Sequence, residues 1–469
     1  MTQQQEPQKP EIPERPQHRV IPKKPSREGF VALCIALAAI AILLASGLNL
    51  LIRYKSGSVS DGSIRFVKIA VVLAGAAATA SILTAILGFR KRYRKRGTTF
   101  AAIALSLLML LGSLAAVYEY AYIFGSMIFD NGFQDLSADD LGVVQIEKDG
   151  ELNRKKTGDE QVMNFEDIAL KLQGNENVEL EVVRRSLLTN DDMPEDARKA
   201  FHTGEPTGKS YLSPESDKIS NFLLFGLDAA GSSDSIMLVS LDRVHKKIKI
   251  ISIARDSYVK IPEWGMYAKL TYAYHWGQAE MAVRTINTNY FLNVEDYVAV
   301  NFDQLAQIVD YIGGVDVEID ASEQRYMRGF ADVTIGMNHL DGATAVSYAR
   351  IRKSNFSDSD KNRTGRQREV LMSMFSSVSS MPLGSYPQFL RDCLGMCTTS
   401  FETDQLMQMM LEVAGGNYTI EQYFFPEGQV DWWGGLVNDL FYYVYDLSRA
   451  SDRMYRIIYE DLYTSGYAD

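Results

Sequence analysis

Three runs decide the fold of this chain: "NFLLFGLD" (221–228), "SIMLVSLD" (235–242) and "KIKIISIA" (247–254). Each is short, rich in Ile, Leu and Val, and bounded by Gly, Asp, Ser or Lys, which is how a buried strand reads. Downstream, "AEMAVRTINTNY" (279–290) has helical spacing, "DYVAVNF" (296–302) is a strand, and "DQLAQIVDYIGG" (303–314) is a helix ended by glycine. A strand "VDVEID" (315–320), a helix "DGATAVSYARIR" (341–352) running into an extended segment, and a helix over 363–378 follow. After residue 400, "QMMLEVA" and "YRIIYED" continue the same patterns. Strands alternating with helices predict an α/β class domain over 217–469, an α/β/α sandwich around a central mixed sheet.

Upstream the character changes. Residues 125–216 are polar, with short apolar runs such as "VELEVV" (178–183), a helix-like "NFEDIALKLQG" (164–174), and Pro194, Pro206 and Pro214. They read as a small α+β accessory domain ending in a linker over 203–216. Residues 29–124 contain three apolar stretches, 29–52, 66–89 and 98–123, each near the roughly 20 residues a helix needs to cross a bilayer. Only Lys68 and Glu119 interrupt them. Residues 1–28, rich in Pro, Gln and charge without apolar periodicity, read as a disordered cytoplasmic tail. The basic run "RKRYRKR" (90–96) between the second and third stretches belongs on the cytoplasmic side. Three spans then place everything after them outside the membrane. Residues 1–98 hold 16 Lys/Arg against 5 Asp/Glu, and the remainder 32 against 54. That acidic body excludes general nucleic-acid binding, which needs a broad basic face.

Against this acidic background one basic constellation stands out. Asp360, Arg363 and Gln367 are spaced i, i+3, i+7, and the stripe continues into Leu371, Met374 and Val378. Polar residues on the inward line of a helix, at its N-terminal end, point to a site. Arg350 and Arg352 alternate across Ile351, which in extended backbone aims both guanidiniums one way. Arg255 ends a predicted strand, where open-sheet ligand sites lie. Arginine's planar fork suits phosphate. Asp228 and Asp234 flank the turn "AAGSS" (229–233). They either cap that turn or converge on a hard cation such as Mg²⁺, with Mn²⁺ as its alternative. No G-x-S-x-G or Walker motif is present, and neither His275 nor His339 has a Ser or Cys partner pattern nearby. The set suggests phosphoryl transfer, which needs positioning and charge neutralisation more than a nucleophile. Cys393 and Cys397, four apart on a helix, read as two free thiols or a strained local disulfide.

The ordered motifs "NFLLFGLD…SDSIMLVSLD", "IKIISIARDSYV", "KLTYAY", "IVDYIGGVDVEID", "MNHLDGATAVSYARIR" and "DKNRTGRQREV", covering 221–461, resemble the LytR-CpsA-Psr family of Gram-positive bacteria. The three preceding spans resemble its capsule-associated branch. The resemblance implies a phosphotransferase that moves a glycopolymer from undecaprenyl pyrophosphate to peptidoglycan at the outer face of the cell membrane. It assigns Asp228 and Asp234 to a metal, and Arg255, Lys269, Arg350, Arg352, Arg363 and Gln367 to the pyrophosphate. It makes Asp360 the base or orienter of the attacking hydroxyl, with Arg352 and Arg363 beside it as catalytic residues. Where the family has arginine this chain has Ser232, the Asp228–Asp234 loop is short, and Ala254 replaces a proline. The Ser232 departure motivates an alternative, a non-catalytic polyprenyl-phosphate-binding regulator of wall or capsule assembly.

Overall fold

The computed structural model describes residues 27–55, 61–89, 97–126, 128–129, 136–137, 140–142, 145–146, 152–153, 163–172, 179–201, 218–352, 359–426 and 431–462. Each apolar stretch is one continuous helix: α1 (Arg27–Lys55), α2 (Asp61–Phe89) and α3 (Gly97–Ser126). Within them Arg27–Arg53, Arg65–Leu87 and Gly97–Tyr118 are long and apolar enough to cross a membrane. The sides of these helices differ in residue size. Ala32, Ala36, Ala70, Ala74, Ala78, Ala85, Ala102 and Ser106 are buried between them, while Leu44, Val72, Leu83, Leu108 and Leu111 face outward. Small residues four apart let helix backbones approach closely, the packing used in lipid, where large side chains gain nothing by turning inward. Ser81 Oγ donates to the Ala32 carbonyl at 2.7 Å, a bond that a dry environment makes costly to lose. The expected tail (1–28) lies almost wholly outside the described residues, as does the basic run at 90–96.

The rest of the chain is a second compact unit built on a seven-stranded sheet. Its strands are β1 (Ile128–Phe129), β2 (Ile219–Leu227), β3 (Ser233–Asp242), β4 (Lys247–Ile253), β5 (Asp296–Asn301), β6 (Thr398–Thr399) and β7 (Thr419–Phe425). The spatial order is β1-β6-β5-β2-β3-β4-β7. β2 is parallel to β5 and β4 to β7, whereas β3 runs antiparallel to both β2 and β4. The sheet is therefore mixed, with β2, β4, β5 and β7 sharing one direction.

Side-chain alternation makes the layers. Leu223, Phe225, Ile236, Leu238, Ile251 and Ile253 pack on one face, with α4 (Leu270–Tyr290) and α9 (Leu447–Tyr459). Phe222, Met237, Val239, Ile248 and Ile250 pack on the other, against Leu371 and Phe375 of α7 (Ser359–Ser379) and Leu406 of α8 (Thr403–Gly415). Strands apolar on both faces need helices on both faces, so the α/β/α sandwich follows from the three opening runs.

Two expectations are corrected. The strand at Val315–Ile319 does not join the sheet; it pairs antiparallel with Gly336–Leu340 in a hairpin of its own. That hairpin encloses a separate small core with α5 (Phe302–Tyr311), α6 (Gly342–Ala349) and Val370 of α7. Its alternating buried-exposed pattern marks a strand with one solvated face. The described part of 125–216 is likewise not a separate domain. β1 extends the central sheet, and Ile168, Leu172, Val183, Ala197 and Phe201 enter the same core as α4. Helices of six or seven residues cannot enclose a core of their own and are stable only where a larger one receives them. The expected linker at 203–216 lies outside the described residues.

Cys393 and Cys397 are free and buried. Burial pushes both thiols up to about 12, with Cys397 and Asp392 adding to the effect at Cys393. A buried thiol held protonated is neither nucleophile nor ready disulfide partner. Alkylation of the folded protein at mildly alkaline pH is expected to label neither residue, and denaturant to expose both; intact-protein mass spectrometry reads the difference.

Candidate functional site

The directions of the strands put one set of ends together. β2, β4 and β5 all finish at the edge where β3 begins, which brings Asp228, Asp234, Arg255 and Asn301 to one rim. Asp228 opens the β2–β3 turn, and its Oδ1 accepts from the N–H groups of Ala230 (3.0 Å) and Ser232 (2.9 Å). Gly231 supplies the left-handed residue (φ +78°). Asp228 thus does cap its turn, and Oδ2 stays outside that network. Asp234 is different. The register moves from Gly226↔Ser235 to Leu227↔Ser233, so Asp234 is the extra residue of a bulge. A bulge re-aims one side chain, and this one meets arginines.

Arg255 Nη1 is paired with Asp234 Oδ1. Arg352 Nη2 lies 3.5 Å and Arg363 Nη1 3.7 Å from the same oxygen, and Arg363 Nη2 donates to the Asp234 carbonyl at 3.5 Å. Three guanidiniums from three elements thus converge on one carboxylate. Planar forks gathered in this way are the geometry that grips phosphate oxygens. The cleft beside them has a volume of about 890 Å³ and is lined by Asp228, Asp234, Arg255, Phe302, Arg350 and Arg352, among others. Arg350 reaches it by a route the sequence did not indicate. It is the helical C-cap of α6 (φ −93°, ψ −4°), not extended backbone, and its guanidinium stacks 4.4 Å over the Phe302 ring.

The other predicted residues fall into three situations. Lys269 is buried, and its Nζ donates to Asp256 Oδ1 at 2.9 Å, with Arg255 Nε 3.5 Å from the other oxygen. It therefore braces Arg255 through Asp256 and does not line the cleft. Gln367 Oε1 is buried with no hydrogen-bond partner among the described residues, an acceptor held ready for a donor. Asp360 lies in the first turn of α7, and its side chain is outside the described residues. Nearby, burial and the Asp256 carboxylate push the Tyr272 phenol up to about 12, so it stays a donor at neutral pH.

Several polar residues escaped the sequence reading. Arg366 and Arg368 are also buried; Arg366 pairs with Glu323 (3.0 Å) and Arg368 donates to Ser252 Oγ (2.8 Å) and Gln422 Oε1 (3.0 Å). Their place beside a polar inward stripe was the available signal. His275, expected to lack a serine partner, has Nδ1 3.0 Å from Ser232 Oγ, across 43 positions of sequence that hide the pairing. His339 pairs with Asp316 (2.8 Å).

Asp228 and Asp234 place two carboxylates on one cleft, the hard oxygen donors Mg²⁺ takes; Asp234 Oδ1 is held by arginine and Asp228 Oδ1 by backbone N–H groups, so a cation there would use the other oxygen of each. Among the described residues, the group of three close enough to ligate an ion is elsewhere, at Asp242, His245 and Asp461. Buried Lys249 already donates to Asp242 (2.8 Å) and lies 3.2 Å from Asp461, so that group neutralises a lysine.

A model of the LytR_cpsA_psr family matches residues 186–456. The polyisoprenyl-teichoic acid–peptidoglycan teichoic acid transferase TagU of Enterococcus faecalis is 29% identical over 231 residues, 47% of this chain and 74% of the relative. TagU of Bacillus anthracis is 33% identical over 196 residues, 40% and 63% of the two chains. Among solved structures, TagT bound to LI-WTA is 24% identical, covering 56% of this chain and 98% of that chain at a TM-score of 0.45.

Proposed function

Because the chain belongs to the LytR_cpsA_psr family, we propose that it is a membrane-anchored phosphotransferase that moves a glycopolymer from a polyprenyl-pyrophosphate carrier to peptidoglycan. One observation carries this reading: Arg255, Arg352 and Arg363 converge on bulged Asp234 at the mouth of a cleft formed by strand ends. The names of the relatives supply the donor and acceptor classes. The basic run at 90–96 favours an N-terminus in the cytoplasm and a catalytic unit outside the membrane, where the acceptor wall is found.

The arginine forks hold the pyrophosphate and neutralise the charge that develops as the lipid phosphate leaves. Asp360 accepts the proton of the attacking sugar hydroxyl. The hydroxyl oxygen bonds to phosphorus, and the bridging P–O bond breaks with its electrons leaving on the lipid phosphate. Asp228 and Asp234 would hold Mg²⁺, or Mn²⁺ in its place, which supplies further neutralisation at the phosphate oxygens. Lys269 and Asp256 keep Arg255 in position.

Purified protein incubated with lipid-pyrophosphate-linked glycan, Mg²⁺ and peptidoglycan is expected to release lipid phosphate, and Arg352→Ala to slow that release by about 10- to 100-fold. Equal rates in the two proteins overturn the site. Tight lipid binding without turnover favours the non-catalytic regulator, a reading kept because Ser232 bonds His275 where the family has arginine.

A further inference from the structure

A second cleft, of about 620 Å³, opens along helix α7 and shares no lining residue with the arginine cleft. From α7 it takes Lys361, Asn362, Gly365, Arg366, Arg368 and Glu369, one broad face of the helix. Arg363 and Gln367 occupy a different stripe of the same turns. The helix thus lines the second cleft with one face and reaches Asp234 of the first with Arg363 of another.

The chemistry of the two clefts differs. The first sets Arg255, Arg350 and Arg352 against Asp228, Asp234 and Asp303, with buried Arg363 reaching Asp234 from behind; the second sets Glu318, Asp320, Glu323 and Glu369 against Lys361, Arg366 and Arg368, with Asn362 between them, so that acceptors slightly outnumber cations. Its walls are fixed. Glu369 accepts from the Glu318 N–H at 2.7 Å and from the Tyr348 hydroxyl at 2.6 Å. Buried Arg366 donates to Glu323, while its Nε is buried without a hydrogen-bond partner among the described residues. An anion would meet carboxylates here, and an acyl chain would meet charge. A saccharide is suited to it, because each hydroxyl both donates and accepts.

We propose that this second cleft seats a saccharide segment of the acceptor glycan and holds one of its hydroxyls toward the start of α7. The assignment to the acceptor rests on the transferase reading above. Attack on phosphorus needs the acceptor beside the pyrophosphate yet clear of the arginines that grip it. A site on the neighbouring stripe of the same helix meets both demands.

The test uses full-length protein with Glu318→Ala and Asn362→Ala combined, at side chains on the rim of the cleft. Three quantities are read: KM for a soluble peptidoglycan glycan fragment, KM for the lipid-linked donor, and fragment binding by saturation-transfer NMR without donor. Acceptor KM is expected to rise about tenfold, donor KM to hold, and the NMR signal to fall; Arg352→Ala shows the opposite pattern. Unchanged acceptor KM and unchanged fragment binding overturn the cleft assignment. A wild-type protein that binds the fragment but never transfers to it overturns the transferase reading instead.

Discussion

Arg363→Ala is expected to lower lipid-phosphate release by about 10²- to 10³-fold while the protein stays folded. The size of the effect follows from burial. The Arg363 side chain is 3% exposed, against 54% for Arg352, so its charge acts through protein more than through water. It is also fixed, since Nη2 donates to the backbone of the bulge that carries Asp234 and the flanking Thr364, Arg366 and Arg368 are buried. A donor that needs no reorganisation stabilises a developing charge best. The fold survives because Asp234 keeps Arg255 and Arg352, which limits the stability loss to about 1–3 kcal/mol. Arg363→Lys retains a charge but not the fork and is expected to fall between the two. Single-turnover release, with circular dichroism as the folding control, measures all three proteins. Near-wild-type release by Arg363→Ala would remove the Asp234 cluster from the reaction.

What was legible in the sequence was whatever depends on local periodicity. β2, β3 and β4 are apolar on both faces, which announces a sheet covered twice, and the i, i+3, i+7 spacing alone puts Arg363 on an inward line. Illegible features were set by register or by long-range partners. The Asp234 bulge exists because β2 and β3 slip by one residue at Gly226/Leu227, a matter of pairing. The alternating Arg-Ile-Arg predicts extended backbone at Arg350, yet it ends a helix and finds its aromatic partner 48 positions back, at Phe302. Lys269 looked like a phosphate ligand from its motif; its partner Asp256 adjoins Arg255, and that local charge claims it first. The accessory segment looked separate because its polarity rises, but polarity does not report where a few apolar residues such as Ile168 and Val183 are buried.

Lys249→Met is expected to destabilise the catalytic unit by about 3–5 kcal/mol, the cost of leaving a buried charge without its partner. Lys249 and Asp242 are both fully buried, 2.8 Å apart, and Lys249 Nζ also donates to the Ile458 carbonyl at the end of α9. The cluster thus ties a central strand to the last helix. Burial opposes ionisation of Asp242, but bonds from Lys249, the His245 N–H and the His245 ring outweigh it and hold the carboxyl below its ordinary 3.8. Asp461 shifts the same way, burial again being overcome by Lys247 and Lys249. As pH falls, the unfolded chain takes up these protons first. The stabilisation is therefore intact above 3.8 and is lost as pH drops through the depressed folded values. In Lys249→Met the depression shrinks, so the acid limb of the stability curve flattens while the neutral-pH Tm drops by roughly 6–20 °C. Adding Asp242→Leu recovers only part of the loss, because Asp242 Oδ1 also accepts from the N–H groups of Val244 (2.9 Å) and His245 (3.0 Å), which that change orphans. Thermal unfolding followed by near-ultraviolet circular dichroism, at neutral pH and down through the carboxylate range, separates these effects. An unchanged acid limb in Lys249→Met would mean that other carboxylates control the acid unfolding.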